Sequence, residues 1–294
     1  MKAIVIGGSG FMGSHTADEL TNRGHEVTIF DRVPSPWLRS GQEMVVGNYM
    51  DSDLLSTVMK GGSVLYHFAG VADIGQSREQ PYETIESNVM GLTKVLEAAV
   101  KVGLRRFVYA STMYVYSSHG SFYRASKQAA EVIIEAYAEH FGLEFTLLRY
   151  GSLFGPRAQK WNGIRRFVAQ ILHEGRIDYN GNGQEMREYI HVHDAARLSV
   201  DILDPAFVNR AITITGQQLI RVDDLFTVLF EIAGRPRSVQ YHGDSSAPNH
   251  YGHTPYRYTP KPAKKLVPNE FVDLGQGLLD VIEEIHREES RDAN

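Results

Sequence analysis

Seven residues near the amino terminus, Gly7-Gly8-Ser9-Gly10-Phe11-Met12-Gly13, constrain this chain more than any other stretch. They follow the apolar run Ala3-Ile4-Val5-Ile6 and place glycines at 7, 10 and 13. That spacing suits a strand-to-helix turn that must bend tightly, let a ligand approach the backbone and seat the helix close to the strand. The amides and positive dipole end of the new helix favour an anion such as a pyrophosphate. Glycine-rich turns also serve as plain loops, so the reading depends on its context.

The context is an alternation of short apolar runs with amphipathic stretches. Ala3 to Ile6, Glu26 to Phe30, Met44 to Val46, Val64 to Phe68, Phe107 to Tyr109 and Phe145 to Leu148 read as buried strands. Between them, Val89 to Val100 has Val89, Leu92, Val95, Leu96 and Ala99 on one helical face. This predicts an α/β chain: a Rossmann doubly wound parallel sheet with a smaller C-terminal α/β substrate lobe. Residues 1-155 form the expected cofactor domain, with a return near 188-215, and 156-294 supply mainly the lobe. There, Gly163 to Gly175 reads as a helix and Asn180-Gly181-Asn182-Gly183 as a turn, while Phe226, Leu229, Phe230 and Ile232 read as a packed helix face. An irregular loop is expected from Gly243 to Pro262, a last helix near Leu274 to Arg287 and a frayed tail from Glu288.

Composition narrows the partners. A net charge of -5 over 294 residues, with basic residues mostly single or paired, carries no footprint for nucleic acid. The absence of cysteine excludes disulfide staples, thiolate catalysis and cysteine zinc sites, and permits a reducing compartment. The first apolar run is too short for a signal peptide, and no run of about eighteen apolar residues suggests a membrane span. A cytoplasmic protein is expected.

Asp31 ends the second expected strand, eighteen residues after Gly13, where a carboxylate can accept hydrogen bonds from adenosine ribose hydroxyls and repel a 2′-phosphate. That favours NAD over NADP, although adjacent Arg32 softens the discrimination, and a turn role for Asp31 stays open. Tyr123 and Lys127 are four apart on a stretch where Ala125, Ala129, Ala130, Val132 and Ile133 suggest a helix. A lysine ammonium beside a phenol favours the phenolate, which brings a poor base closer to working pH. Such pairs are also common on solvated helix surfaces.

Taken together, the glycine turn and Tyr123-Arg124-Ala125-Ser126-Lys127 resemble the extended short-chain dehydrogenase/reductases, and best their nucleotide-sugar epimerase/dehydratase branch. Further matches are Gly47 to Asp51, His67-Phe68-Ala69-Gly70, Asn88-Val89-Met90-Gly91, and Ala110-Ser111-Thr112-Met113-Tyr114-Val115-Tyr116. Leu148-Arg149-Tyr150, Phe154-Gly155-Pro156-Arg157 and Arg187-Glu188-Tyr189-Ile190-His191-Val192-His193-Asp194 complete a match over nearly the whole chain. The resemblance implies that Thr112 hydrogen-bonds the reacting sugar hydroxyl, Tyr123 exchanges its proton and Lys127 holds the nicotinamide ribose. It implies NAD binding by Gly7, Gly10, Phe11, Met12, Gly13, Asp31, Arg32, Asp51, Ser52, Phe68, Ala69, Gly70, Asn88 and Tyr150, with Asp51 at the adenine. It implies a nucleotide-diphosphate sugar held by Thr112, Ser152, Arg187 and Arg257, and a homodimer through a four-helix interface. A planar, always-charged Arg187 suits phosphate oxygens, though a solvated arginine is its plain alternative. His191 and His193 sit in a strand-to-helix block and are not read as metal ligands.

The chain departs from that branch where the reaction is decided. Dehydratases carry Asp-Glu after the catalytic threonine, because expelling a hydroxyl needs an acid and a base; here stand Met113 and Tyr114. The decarboxylases also tend to keep an acidic residue nearby. Ten residues separate Thr112 from Tyr123, a short connection that implies an open sugar pocket. Ser152 and Gly70 replace the commoner asparagine and alanine. The expected activity is NAD-dependent C4 epimerisation, with a 4-keto sugar reductase as the alternative and an NAD-sensing regulator as the non-enzymatic one.

Overall fold

The computed structural model describes residues 1–243. Along them run β1 (Lys2–Ile6), α1 (Phe11–Asn22), β2 (Glu26–Asp31), β3 (Gln42–Val46), α2 (Ser52–Met59), β4 (Val64–His67), α3 (Ile74–Glu79), α4 (Pro81–Ile85), α5 (Leu92–Lys101), β5 (Arg106–Thr112), α6 (Ser121–Phe141) and β6 (Glu144–Tyr150). Then come β7 (Ser152–Phe154), α7 (Gly163–Glu174), β8 (Ile177–Tyr179), β9 (Met186–His191), α8 (Val192–Asp201), β10 (Arg210–Ile214), β11 (Leu219–Arg221), α9 (Val222–Ile232) and β12 (Val239–Tyr241).

Seven strands form one sheet in the order β3-β2-β1-β4-β5-β6-β10, and every neighbouring pair is parallel. Parallel strands covered on both faces must be apolar throughout, and β1 shows why the run Ala3 to Ile6 lacks alternation. Ile4 and Ile6 pack with Leu55, Val95 and Leu96 of α2 and α5. Ala3 and Val5 pack with Ala17, Leu20 and Val200 of α1 and α8. The order reverses between β1 and β4, which opens a crevice at their carboxyl ends.

Two smaller sheets lie outside it: β9 between antiparallel β11 and parallel β7, and the parallel pair β12-β8. Phe167, Ile171, Ile177, Val222, Phe226 and Phe230 form a separate apolar cluster there. Asn162 caps α7 by accepting from the Arg165 amide, and Gly175 ends it in the left-handed region.

Two local expectations are corrected. The helix predicted from Val89 begins earlier, with a π-helical turn over Glu86–Gly91 feeding α5. The helix expected around Tyr123 and Lys127 is present as α6, with Ser126, Lys127, Ala130, Glu131 and Ile134 on its buried stripe and Val132 65% exposed. On α9 the buried face is Val222, Leu225, Phe226 and Phe230, and terminal Ile232 is 80% exposed because it lies off that stripe. The predicted helix near Leu274 to Arg287, the loop beyond Gly243 and the frayed tail lie outside the described residues.

Candidate active site

The glycine turn packs backbone on backbone. Gly7 has φ 82°, and a Cβ there would sit 2.5 Å from the Ala69 nitrogen in the turn after β4. A Cβ on Gly13 would sit 2.1 Å from the Gly7 carbonyl oxygen, so the helix seats on the strand only with glycine there. Gly10 differs: its Cβ would meet nothing nearer than the Gly7 oxygen at 3.3 Å, so the protein's own packing leaves room over it. It also caps α1 without any side-chain hydrogen bond, so the first-turn amides have no side-chain acceptor. Phe11 and Met12 bury their side chains and can offer a ligand only backbone. Space above Gly10 and uncapped amides fit a pyrophosphate.

Asp31 stands at the end of β2 beside this turn. Its Oδ2 accepts from the Ser9 amide at 3.0 Å and its Oδ1 from the Val33 amide at 3.4 Å, while Arg32 is exposed. Phe68 donates its amide to the Ile6 carbonyl, which ties the turns after β1 and β4 together. Gly70, at φ 141°, lies where a Cβ would meet the Asn88 oxygen at 2.5 Å.

Other expected cofactor residues are engaged by the protein. Asp51 caps α2, its Oδ1 accepting from the amides of Asp53 and Leu54, and Ser52 is the exposed first residue of that helix. Asn88 lies in the π-helical turn, 2% exposed, and donates to the Val71 carbonyl and the Ser126 hydroxyl while accepting from the Val71 amide. It reaches the crevice through the Gly70–Val71 turn that it clamps. Tyr150 is buried, and its hydroxyl pairs with that of Ser199 at 2.6 Å.

Thr112 ends β5 and caps a short 3-10 turn, Met113–Tyr116, by accepting from the Tyr114 amide at 3.3 Å. The turn sends Met113 and Val115 into the core, at 0% and 4% exposure. Tyr114 is half-buried, and its ring meets the Tyr123 ring edge-on at 6.1 Å. Gly120, at φ 105°, makes room for it: a Cβ there would be 2.7 Å from the Tyr114 ring.

Lys127 is 6% exposed on α6. Its Nζ donates to the Ala110 carbonyl at 2.7 Å and lies 4.6 Å over the Tyr109 ring and 5.9 Å from the centre of Tyr123. Burial pulls its ammonium down to about 8, against the upward pull of the Glu131 carboxylate. Neighbouring His67 is 1% exposed; burial first, and then the Lys127 charge, lower it to about 3, so it is neutral at physiological pH.

Sequence reasoning missed the layer beneath. Glu131 accepts from the Ser111 hydroxyl at 2.5 Å and from Arg149 at 2.9 and 2.5 Å, and Arg149 also donates to the Tyr116 hydroxyl. The readable signal was the series Tyr123, Lys127, Glu131, spaced four apart, which stacks on one helix face.

On the other side of the chain, Ser152 lies on β7 beside Tyr189 of β9, and Arg187 is a buried β9 residue at 8% exposure, donating to the Met186 carbonyl. Arg257 lies outside the described residues. Among the described residues, no cluster of His, Asp and Glu could hold a metal, and no helix is long and apolar enough to cross a membrane.

A parallel sheet reversing at β1 and β4, a glycine turn shaped for a pyrophosphate and a Tyr-Lys pair beside the same crevice define a dinucleotide-binding enzyme of Rossmann type. The family model described as "NAD dependent epimerase/dehydratase family" matches residues 3–214, and the chain belongs to that family. It is 29% identical to a UDP-N-acetyl-alpha-D-glucosaminuronate decarboxylase of Bacillus cytotoxicus over 69% of this chain and 71% of the relative. It is 26% identical to a UDP-glucose 4-epimerase of Rhizobium leguminosarum over 84% of this chain and 86% of the relative. Among solved structures it matches the dTDP-glucose 4,6-dehydratase DesIV of Streptomyces venezuelae, a double mutant with NAD bound, at 26% identity and TM-score 0.79. That match covers 88% of each chain.

Proposed function

We propose that this enzyme interconverts two nucleotide-diphosphate sugars of opposite configuration at C4, through a transient 4-keto sugar. The observation that carries the reading is the content of the Thr112–Tyr123 connection. Thr112, Tyr123 and Lys127 supply what oxidation of a hydroxyl needs, while Met113 is buried in the core and Tyr114 is aromatic where elimination would need carboxyl groups.

Bound NAD supplies the hydride acceptor and donor. Thr112 holds the sugar 4-hydroxyl, and Tyr123 as phenolate takes its proton while hydride leaves C4; after the keto sugar turns, hydride would return to the opposite face of C4 and Tyr123 gives the proton back to the 4-oxygen. Lys127, as ammonium, favours that phenolate and holds the nicotinamide ribose. Asp31 accepts from the adenosine ribose hydroxyls and disfavours a 2′-phosphate. Arg187, with Arg257, anchors the diphosphate while the keto sugar turns. The reading includes a homodimer through α5 and α6, with Val132 of α6 65% exposed and Met90, in the π-helical turn leading into α5, 56% exposed; an elution volume or scattering mass of one chain would overturn that part.

UDP-hexoses deuterated at C4 provide the test. Expected are the C4 epimer with label retained and no net change in cofactor redox state, because the hydride never leaves the site. Carbon dioxide release, a 4-keto-6-deoxy product, or stoichiometric consumption of reduced cofactor would replace the reading with decarboxylase, dehydratase or reductase.

A further inference from the structure

Glu131 is 7% exposed, and a carboxylate is taken that far from water only when its neighbours repay the desolvation. Its partners come from separate segments: Ser111, adjacent to Thr112 on β5; Arg149, near the end of β6; and, through Arg149, Tyr116 in the 3-10 turn. It projects from α6 one turn beyond Lys127 and two beyond Tyr123. One carboxylate thus fastens the strand end bearing Thr112 to the helix bearing Tyr123 and Lys127.

The groups facing Lys127 are few. Tyr109 of β5 lies under its ammonium, and burial pushes that phenol well above its ordinary range, so it is neutral. His67 of β4 is neutral as well, and Tyr123 is one turn back on α6. Glu131 is the carboxylate that acts on Lys127 among the described residues. Arg149 lies beyond it and leaves both its oxygens hydrogen-bonded in one orientation.

We propose that Glu131 is a positioning residue for the epimerase chemistry: through Ser111 it fixes Thr112 against Tyr123, and with Arg149 it holds a negative charge beneath Lys127. The inference rests on the catalytic reading of Thr112, Tyr123 and Lys127. A purely structural ion pair would affect folding without setting either the alignment or the charge state of the site.

The test separates these roles in the full-length protein with NAD bound. Ser111→Ala leaves the Glu131–Arg149 pair intact and removes only the tie to β5. It should lower kcat roughly tenfold with KM for the sugar nearly unchanged, as misalignment of reacting groups does. Glu131→Gln removes the charge. The Lys127 signal in a 13Cε-lysine NMR titration, assigned by its loss in Lys127→Met, should move about one pH unit lower. If Glu131→Gln does not fold, Glu131→Asp takes its place, and there the midpoint should stay near that of the wild type while kcat falls. Because the titration needs no sugar, it tests the charge role even if no nucleotide sugar turns over, an outcome that would sink the catalytic reading instead. An unmoved Lys127 midpoint in Glu131→Gln, a lowered one in Glu131→Asp, or wild-type kcat in Ser111→Ala overturns the proposal.

Discussion

The two ends of the crevice are built by different means. Around Gly7 and Gly13, backbone lies against backbone, and a single added methyl would collide at 2.5 or 2.1 Å with main-chain atoms. Between Thr112 and Tyr123, side chain lies against side chain: Tyr114 on Tyr123, Met113 in the core, Glu131 on Ser111 and Arg149. Backbone contacts admit one residue type, whereas side-chain contacts can be exchanged with modest repacking. The first end therefore announces a cofactor, and the second is where relatives named decarboxylase, epimerase and dehydratase can part.

The sharpest way to break this contrast is Tyr123→Phe. The ring, and its contact with Tyr114, would remain, so only the hydroxyl proposed to exchange the proton is lost. Turnover should fall roughly 10²- to 10⁴-fold while NAD affinity stays within about twofold. Loss of cofactor binding of similar size would mean the two ends are one unit, and unchanged turnover would mean that Tyr123 is not catalytic.

Lys127→Met should show the same separation with opposite signs. The folded lysine titrates near 8 and the unfolded one near 10.5, so between those values the unfolded chain binds more protons and stability rises with pH. Below pH 8 the buried ammonium carries its full penalty, roughly 3 kcal/mol. At pH 7 the methionine variant should unfold at higher temperature than the wild type and yet be inactive. The advantage should shrink as pH rises from about 8 to 10.5; a variant less stable at pH 7 would contradict the assignment of burial as the cause.

How much of this was legible follows the same division. Ala3 to Ile6 and Gly7 to Gly13 could be read because strand burial and close backbone approach leave few residue choices. The buried face of α6 could not. Its inward-packing stripe carries Lys127 and Glu131, charged residues that the burial rule places outside unless paired, while Val132 faces solvent. Glu131's partners Ser111 and Arg149 lie 20 and 18 residues away in sequence, so only the fold brings them together. The π-helical turn at Glu86–Gly91 was missed because helical periodicity does not distinguish an inserted residue.

Gly13→Ala tests the cofactor end with the smallest possible change. Its Cβ would fall on a main-chain oxygen, and no side chain can move aside to admit it. Overpacking of this kind costs about 1–3 kcal/mol, felt as a lower melting temperature and weaker NAD binding together. The matching change at the sugar end, Met113→Leu, nearly conserves volume and should leave both within about 1 kcal/mol. Equal responses from the two variants would remove the distinction between a backbone-limited and a side-chain-limited end.

The smallest expected effect sharpens the contrast at its weakest point. Asp51 belongs to the cofactor end by resemblance, yet the work visible in the structure is done by its side chain, which accepts two amides at the start of α2. Asp51→Ala should destabilise by about 1 kcal/mol, the usual loss on removing such a cap. Asp51→Asn retains a capping oxygen and should recover most of that, but it replaces one acceptor with a donor at whatever the outer oxygen meets. If Asp51 also meets the adenine, NAD affinity will fall in both variants while stability recovers only in Asp51→Asn. If affinity instead follows stability in both, Asp51 serves the cofactor end only by capping α2. That end would then be built entirely from the glycine turn, the Gly70–Val71 turn and Asp31.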